Sequence, residues 1–296
     1  MMIHFRSHLW NFLSFTGPKI LRNYRSAKRF YKFSSQHSGD KWNKYFYTTP
    51  LLALSLGFWN KDSKSTLYNR NYDFMSAPIS SEIEKLVKND KELQKSEMRY
   101  RFEVFVMQVQ AEFCRALEEM EAKYSVETDS NKIQRFQIDR WEREEGGGGI
   151  TCILQDGSLF EKAGVNISVV HGQLPPAAIA QMRARGRNLP PNTSLPFFAT
   201  GVSSVIHPRN PNIPTIHFNF RYFEIEVTNP KTGKIEPQWW FGGGIDMTPY
   251  ILDEGDCKHF HQQLKNACDK HDKSFYPKYK KWCDDYFMIT HRKERR

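Results

Sequence analysis

The chain has 296 residues, of which 39% are hydrophobic, 26% charged and 14% aromatic. This composition is typical of a globular protein and excludes a collagen-like or largely disordered chain. The formal net charge is +10, but residues 1–50 hold nine basic side chains and one acid, Asp40. Because the excess positive charge belongs to the N-terminus, the body of the chain is not expected to bind nucleic acid.

The N-terminal region has the pattern of a targeting segment. From Pro18 the spacing is helical, with Ile20, Tyr24, Ala27 and Tyr31 on one face and basic residues on the other. A basic, acid-poor amphipathic helix is typical of a mitochondrial presequence. The short apolar stretch Leu51–Trp59 suits sorting to the intermembrane space. We predict that residues 1–75 are a presequence, sorting segment and linker, and that residues 76–296 are the folded domain. A disordered basic tail is the alternative.

The body of the chain begins with a helix and continues mainly as strands. Apolar residues recur at helical spacing from Met98 to Tyr124, which predicts a long helix with one buried face. Six short apolar runs follow, over 136–141, 150–154, 165–170, 202–207, 216–227 and 238–241, with one helix over 175–185 among them. Helices return over 254–271 and 276–291. The spacing predicts an α+β fold, a single domain in which helices flank both faces of a large, mainly antiparallel sheet. The stretch 186–214, with six prolines, is expected to be an extended surface loop.

Two glycine runs stand beside aromatic and charged residues. Gly146–Gly149 follows Trp141, and Gly242–Gly244 follows Trp239 and Trp240. Neither run has the spacing of a dinucleotide fingerprint or a phosphate loop. Because glycine allows close approach of the backbone, both runs suggest contact with a large flat ligand, although a plain linker is the alternative.

One predicted strand carries the clearest chemical pattern. In the segment 216–222, His217, Asn219 and Arg221 alternate with apolar residues and therefore share one face. They offer a titratable proton donor, a two-way hydrogen-bonding amide and a carboxylate-binding guanidinium. A solvated polar face is the alternative. On the preceding strand, Ser203 and His207 share a face in the same way.

The cysteines and histidines do not form a complete zinc signature. The five cysteines are Cys114, Cys152, Cys257, Cys268 and Cys283. Their odd number and wide spacing predict reduced thiols rather than a disulfide framework. His259 and His261 are two residues apart on a predicted helix, where such residues do not face each other.

Four blocks of the sequence together resemble the oxygen-dependent coproporphyrinogen-III oxidases. They are RWEREEGGGGITCILQDGSLFEKAGVNISVVHGQLP, FFATGVSSVIHPRNPNIPTIHFNFRYFEIE, WWFGGGIDMTPY and YPKYKKWCDDYFMITHRKERR. The resemblance covers about residues 95–296 and implies a large antiparallel sheet between helices and a homodimer. Chains of this family continue past the position of Arg296, so the chain is expected to be truncated at its C-terminus.

The resemblance also implies roles for individual residues. His217 corresponds to the assigned proton donor, and Asp246 corresponds to an acid that binds or deprotonates pyrrole nitrogens. The implied substrate contacts are Ser203, Asn219, Phe220 and Arg221. Arg140 and Arg209 are further candidates for pairing with substrate carboxylates. The segment 152–161 would lie near the dimer contact.

The implied reaction is the oxidative decarboxylation of two propionates of coproporphyrinogen III to vinyl groups, which yields protoporphyrinogen IX in haem synthesis. Dioxygen is the co-substrate, and no cofactor or metal is expected. The resemblance implies a location in the mitochondrial intermembrane space, where peripheral association with the inner membrane is open. Two alternatives remain at this point. One is a catalytically inactive porphyrin-binding or dimer-modulating form. The other is a metal-dependent oxygenase using His207, His217, His261 and His291.

Overall fold

The structure is a computed structural model that describes residues 96–125, 134–184, 186–191, 193–229 and 231–294. The predicted presequence lies outside these residues. The helices are α1 (Met98–Ser125), α2 (Pro176–Ala184), α3 (Glu254–Asp269) and α4 (Phe275–Tyr286). The strands are β1 (Gln137–Glu142), β2 (Gly147–Gln155), β3 (Phe160–Leu174), β4 (Leu195–Pro208), β5 (Thr215–Thr228) and β6 (Ile235–Thr248). No helix in the described ranges is long and apolar enough to cross a membrane.

The six strands form one open antiparallel sheet in chain order, β1-β2-β3-β4-β5-β6. Each strand pairs with its neighbours in sequence, because hairpin connections bring consecutive antiparallel strands together. The predicted α+β class is therefore confirmed. The expectation of a surface loop over 186–214 is wrong in part. β4 occupies 195–208, where Leu195, Val202 and Ile206 are buried and outweigh the turn signal of the prolines.

Helix α1 covers one face of the sheet. Its predicted apolar stripe is buried from Phe102 to Leu117 and half-buried at both ends, and because all of 102–107 is buried, the helix is buried on more than the one predicted face. The ring of Phe113 meets that of Phe218 on β5 edge to face, with centroids 5.1 Å apart. A buried amide strengthens the contact: Gln110 Nε2 donates to the carbonyl oxygens of Ile150 and Val165, at 2.9 and 2.8 Å. Because backbone carbonyls of β2 and β3 accept these bonds, the helix is held in one register along the sheet.

Helix α2 covers the opposite face. Ile179 is completely buried in a cluster with Leu174, Leu195 and Ile225. Successive residues of a strand point to opposite faces. Ile225 of β5 therefore faces α2, whereas Tyr222 faces α1, where its ring lies 6.0 Å from that of Phe102. The prediction that helices lie on both faces of the sheet is confirmed here.

The chain divides into two compact units. The first unit includes the described residues from 96 to 206 and those from 217 to 245, with α1, α2, β1–β3 and most of β4–β6. The second unit includes residues 207–216 and the described residues from 246 onward, with α3 and α4.

Candidate functional site

The polar row of β5 lies in the first unit. Arg221 donates from Nε to Oδ1 of Asn219 at 3.1 Å, so the two side chains lie on the same face of the strand, as the alternation predicts. Asn219 is buried, His217 is half-buried and Arg221 is exposed. Phe218 and Tyr222 point to the other face, where they are buried against α1. The row thus has its polar groups on one side and a packed apolar support on the other.

Strand β4 borders one side of this row. A Cβ at Gly201 would lie 2.9 Å from Cγ of Arg221 and 2.7 Å from the Phe220 carbonyl oxygen. Gly201 therefore sits beside Arg221, and two residues further along β4 the antiparallel register brings Ser203 beside Asn219. The structure thus brings together three predicted site residues, Ser203, Asn219 and Arg221.

Strand β6 borders the other side. A Cβ at Gly243 would lie 2.5 Å from the carbonyl oxygen of Asn219 and 3.3 Å from the Phe220 ring, whereas a Cβ at Gly242 would meet nothing within 4 Å. Gly242 is thus beside Arg221 and faces open space on the polar side. With Gly201 on β4 and Gly242 on β6, neither neighbouring strand places a side chain over the guanidinium. A flat molecule can therefore approach the sheet closely at this point.

Phe220 lies differently from the other predicted substrate contacts. Its ring points to the face opposite the polar row, with its centroid 5.5 Å from that of Phe218. Only the main chain of Phe220 therefore borders the row. The alternation of the strand requires this, because Phe220 stands between Asn219 and Arg221.

The first glycine run serves internal packing. Gly147–Gly149 belongs to β2, and a Cβ at Gly149 would collide with the indole ring of Trp141, 2.2 Å from Cζ2. Gly146 has φ of 118°, a region that favours glycine, and turns the chain beside His171. Because the protein's own side-chain and backbone atoms fill the space at these glycines, ligand contact is not needed to explain them.

The two candidate arginines belong to different parts of the fold. Arg140 is on the edge strand β1, and β2, β3 and β4 separate it from β5. Arg209 belongs to the second unit.

Asp246 lies in the second unit, at the end of β6. It is only 6% exposed, and Thr248 Oγ1 donates to its Oδ2 at 3.4 Å. In the same unit, His207 Nδ1 lies 3.4 Å from Thr215 Oγ1. Asp246 is thus a buried carboxylate with a hydroxyl partner.

Of the two remaining candidate histidines, His261 lies on α3 and His291 lies exposed in a turn after α4. Helix α3 begins at the N-cap Asp253, whose Oδ1 accepts from the Asp256 N–H at 3.0 Å. His261 of α3 is half-buried and meets the ring of Tyr276 on α4 edge to face, at 6.4 Å. Burial, assisted by Lys280, lowers the pKa of His261, against the opposing effect of Asp284. Among the described residues, no three His, Cys, Asp or Glu side chains cluster as a metal site.

The sequence patterns did not single out a cation at the rim of the polar row. The guanidinium carbon of Arg187 lies 4.1 Å from the ring centroid of Trp240, which packs on Phe223 at 5.0 Å. Arg187 follows α2 in an exposed, proline-flanked segment, and no periodic pattern predicts its contact with β6. Only the basic, glycine-containing composition after α2 could have drawn attention to it.

Comparisons with known proteins identify relatives of this chain. A family model described as coproporphyrinogen III oxidase matches residues 101–296. An oxygen-dependent coproporphyrinogen-III oxidase of Drosophila melanogaster is 62% identical over 223 residues, which is 75% of this chain and 52% of the relative. Relatives named oxygen-dependent coproporphyrinogen-III oxidase, mitochondrial, are 51% identical in Mus musculus (78% and 47% covered) and 47% identical in Homo sapiens (84% and 50%). The chain spans about half the length of these curated relatives.

Proposed function

The chain belongs to the coproporphyrinogen III oxidase family, and from this premise we propose that it catalyses the oxygen-dependent oxidative decarboxylation of coproporphyrinogen III. Two propionates of the substrate become vinyl groups, and the product is protoporphyrinogen IX. The names of the relatives support dioxygen as the oxidant. No bound metal or organic cofactor is proposed.

The observation that carries the proposal is the row of His217, Asn219 and Arg221 between two glycine-bearing strands. The substrate is a macrocycle with four carboxylates and four pyrrole N–H donors. Arg221 suits a propionate carboxylate, since a guanidinium can donate two parallel hydrogen bonds to it. Gly201 and Gly242 leave room for the ring beside that contact. The side chain of Ser203 supplies a further hydroxyl on the same face.

In the proposed reaction, each of the two propionates transfers a hydride equivalent to one molecule of dioxygen. The Cβ–H bond of a propionate breaks as its carboxylate leaves as carbon dioxide, and a carbon–carbon double bond forms. Two electrons and one proton pass to dioxygen, and a second proton completes hydrogen peroxide. His217 is proposed as the donor of that second proton, because an imidazole can be protonated near neutral pH.

Asp246 is proposed to accept hydrogen bonds from pyrrole N–H groups, the role that the family resemblance implies. A carboxylate can accept several such bonds at once. These hydrogen bonds would increase the electron density on the pyrrole nitrogens and so make the macrocycle easier to oxidise. Of the predicted contacts, Phe220 is proposed to act through its main chain, because its ring points to the other face of β5.

The proposed assembly is a homodimer in the mitochondrial intermembrane space. The mitochondrial names of the mammalian relatives support the organelle. The basic, acid-poor N-terminus supports it independently. Import into isolated mitochondria followed by fractionation tests the location, and light scattering tests the dimer.

Aerobic turnover by the purified full chain tests the function directly. Oxygen uptake and the fluorescence of the oxidised product are recorded with and without oxygen, and with a chelator. Protoporphyrin that forms only with oxygen supports the proposal, and inhibition by the chelator would contradict the absence of a metal. A folded chain that binds porphyrin without turnover would instead support the inactive alternative.

A further inference from the structure

The face of the sheet that carries the polar row has a second cation, Arg187. Its guanidinium rests on the ring of Trp240 at 4.1 Å, and its backbone N–H donates to the Met182 carbonyl oxygen at 3.1 Å, which ties the segment to the end of α2. Trp240 in turn packs on Phe223 and on the buried cluster beneath α2. Both the backbone and the side chain of Arg187 are therefore held by neighbouring groups.

Strand geometry places this cation at the edge of the open polar region. Trp240 and Gly242 are two residues apart on β6, so they share a face at a separation of roughly 6.5 Å. Gly242 lies beside Arg221 on the neighbouring strand, about 4.8 Å away. Trp240 is thus about 8 Å from Arg221, measured between Cα positions on an ideal sheet. Trp240 is packed against the apolar cluster beneath α2, whereas Gly242, two residues further along β6, has no neighbouring atom over it.

The contact with the ring prepares Arg187 to bind an anion. A guanidinium stacked on an indole keeps its N–H groups at the edge of the plane, where a carboxylate can accept two of them. The stacking also restricts the rotamers of Arg187 before any ligand binds, so that less side-chain entropy is lost on binding. The exposed position leaves the group accessible from solvent.

We propose that Arg187, held on Trp240, is a second carboxylate-binding residue of the site, so that a flat polycarboxylate lies over Gly242 between Arg187 and Arg221. This assignment rests on the proposed function, because it concerns the propionates of the same substrate. Two guanidinium groups that border an uncovered glycine, one across the strands and one along β6, select a ligand by the number and spacing of its carboxylates.

Equilibrium binding tests this assignment separately from turnover. The full chain is titrated with coproporphyrin and with its tetramethyl ester, which has the same ring without charges, and tryptophan quenching is recorded. Arg187→Met should weaken binding of the acid about tenfold and binding of the ester less than twofold, because one charge-assisted pair is lost. Arg187→Lys should recover part of the loss. The matched control is Arg183→Met, which removes an exposed arginine from the last turn of α2 and should change either affinity less than twofold.

Three results would overturn the assignment. They are unchanged affinity for the acid in Arg187→Met, equal weakening of acid and ester, and the absence of saturable binding by the unaltered chain. Circular dichroism confirms that each variant is folded. Failure of the proposed reaction gives a different result, namely no oxygen-dependent product from a chain that still shows the acid-specific loss in Arg187→Met.

Discussion

Arg221 donates from Nε to Oδ1 of Asn219, 3.1 Å away and two residues earlier on the same strand. This bond uses one of the five N–H donors of the guanidinium and sets the direction of its plane. Both Nη nitrogens keep donors for a carboxylate. Because Asn219 is buried, the orientation of the exposed arginine is determined by a packed part of the sheet.

Arg221→Lys should lower kcat/KM for coproporphyrinogen III by about 100-fold, mainly through KM. A lysine cannot donate to Asn219 and pair bidentately with a carboxylate at the same time. Steady-state kinetics of the full chain measure the effect. Arg140→Lys on the edge strand β1 is the control and should change kcat/KM less than twofold. If Arg221→Lys changed kcat/KM as little as Arg140→Lys does, the positive charge of residue 221 would be sufficient and the guanidinium geometry would not matter.

Asp246→Asn should lower kcat by at least about 100-fold while the chain stays folded. The amide has nearly the shape of the carboxylate and can still accept from Thr248, but it has lost the charge that would attract pyrrole N–H groups. Single-turnover kinetics and circular dichroism check the two parts of this prediction. Near-normal turnover would contradict the proposed role of Asp246.

Glu121 is predicted to stabilise the fold without taking part in catalysis. Its buried carboxylate accepts from the backbone N–H groups of Ser158, Leu159 and Phe160 in the β2–β3 turn, the last two at 3.1 and 3.2 Å. Glu121→Ala should lower the free energy of unfolding by about 3 kcal/mol or more, because three backbone donors lose their partner. Urea denaturation measures this. The exposed neighbour Glu119→Ala should cost less than about 0.5 kcal/mol. A loss below about 1 kcal/mol in Glu121→Ala would contradict the prediction.

His261 should make the protein less stable in mild acid. Its pKa is lowered on folding, so the unfolded chain binds more protons than the folded one as the pH falls below the ordinary value of 6.5. The stability that the neutral ring contributes is therefore full above pH 6.5 and is lost as the pH falls through the folded pKa. Urea denaturation between pH 7.5 and 5 should show a smaller loss in His261→Gln than in the unaltered chain. Lys280→Met should also reduce the loss, since Lys280 lowers the pKa. Identical pH dependence in all three would contradict this origin.

Cys114 and Cys152 should resist thiol reagents in the folded protein. Both side chains are fully buried. Burial is the main cause that raises the pKa of Cys114 well above its ordinary value, and the hydrogen bond with Cys152 is the second. At pH 8, labelling followed by peptide mass spectrometry should find both unmodified until denaturant is added. Detection of a disulfide between them would contradict the prediction of reduced thiols.

The parts of the fold that the sequence predicted are those that depend on local periodicity. The stripe of α1 repeats at 3.6 residues and the polar row of β5 at two, so each pattern alone indicates which side chains share a face. Both were confirmed by contacts such as Phe113 with Phe218 and Arg221 with Asn219. Proline content was a weaker guide, because the buried alternation of β4 outweighed the turn signal over 186–214.

The sequence by itself determined the α+β class, the family and the composition of the polar row, because these follow from residue types and their spacing along one element. The tertiary structure alone decided that Gly149 makes room for Trp141 whereas Gly242 faces open space, and that Arg187 rests on Trp240. Glycines in equivalent runs look alike in sequence. Their roles differ because distant strands and helices supply, or leave out, the side chains that fill the adjoining space.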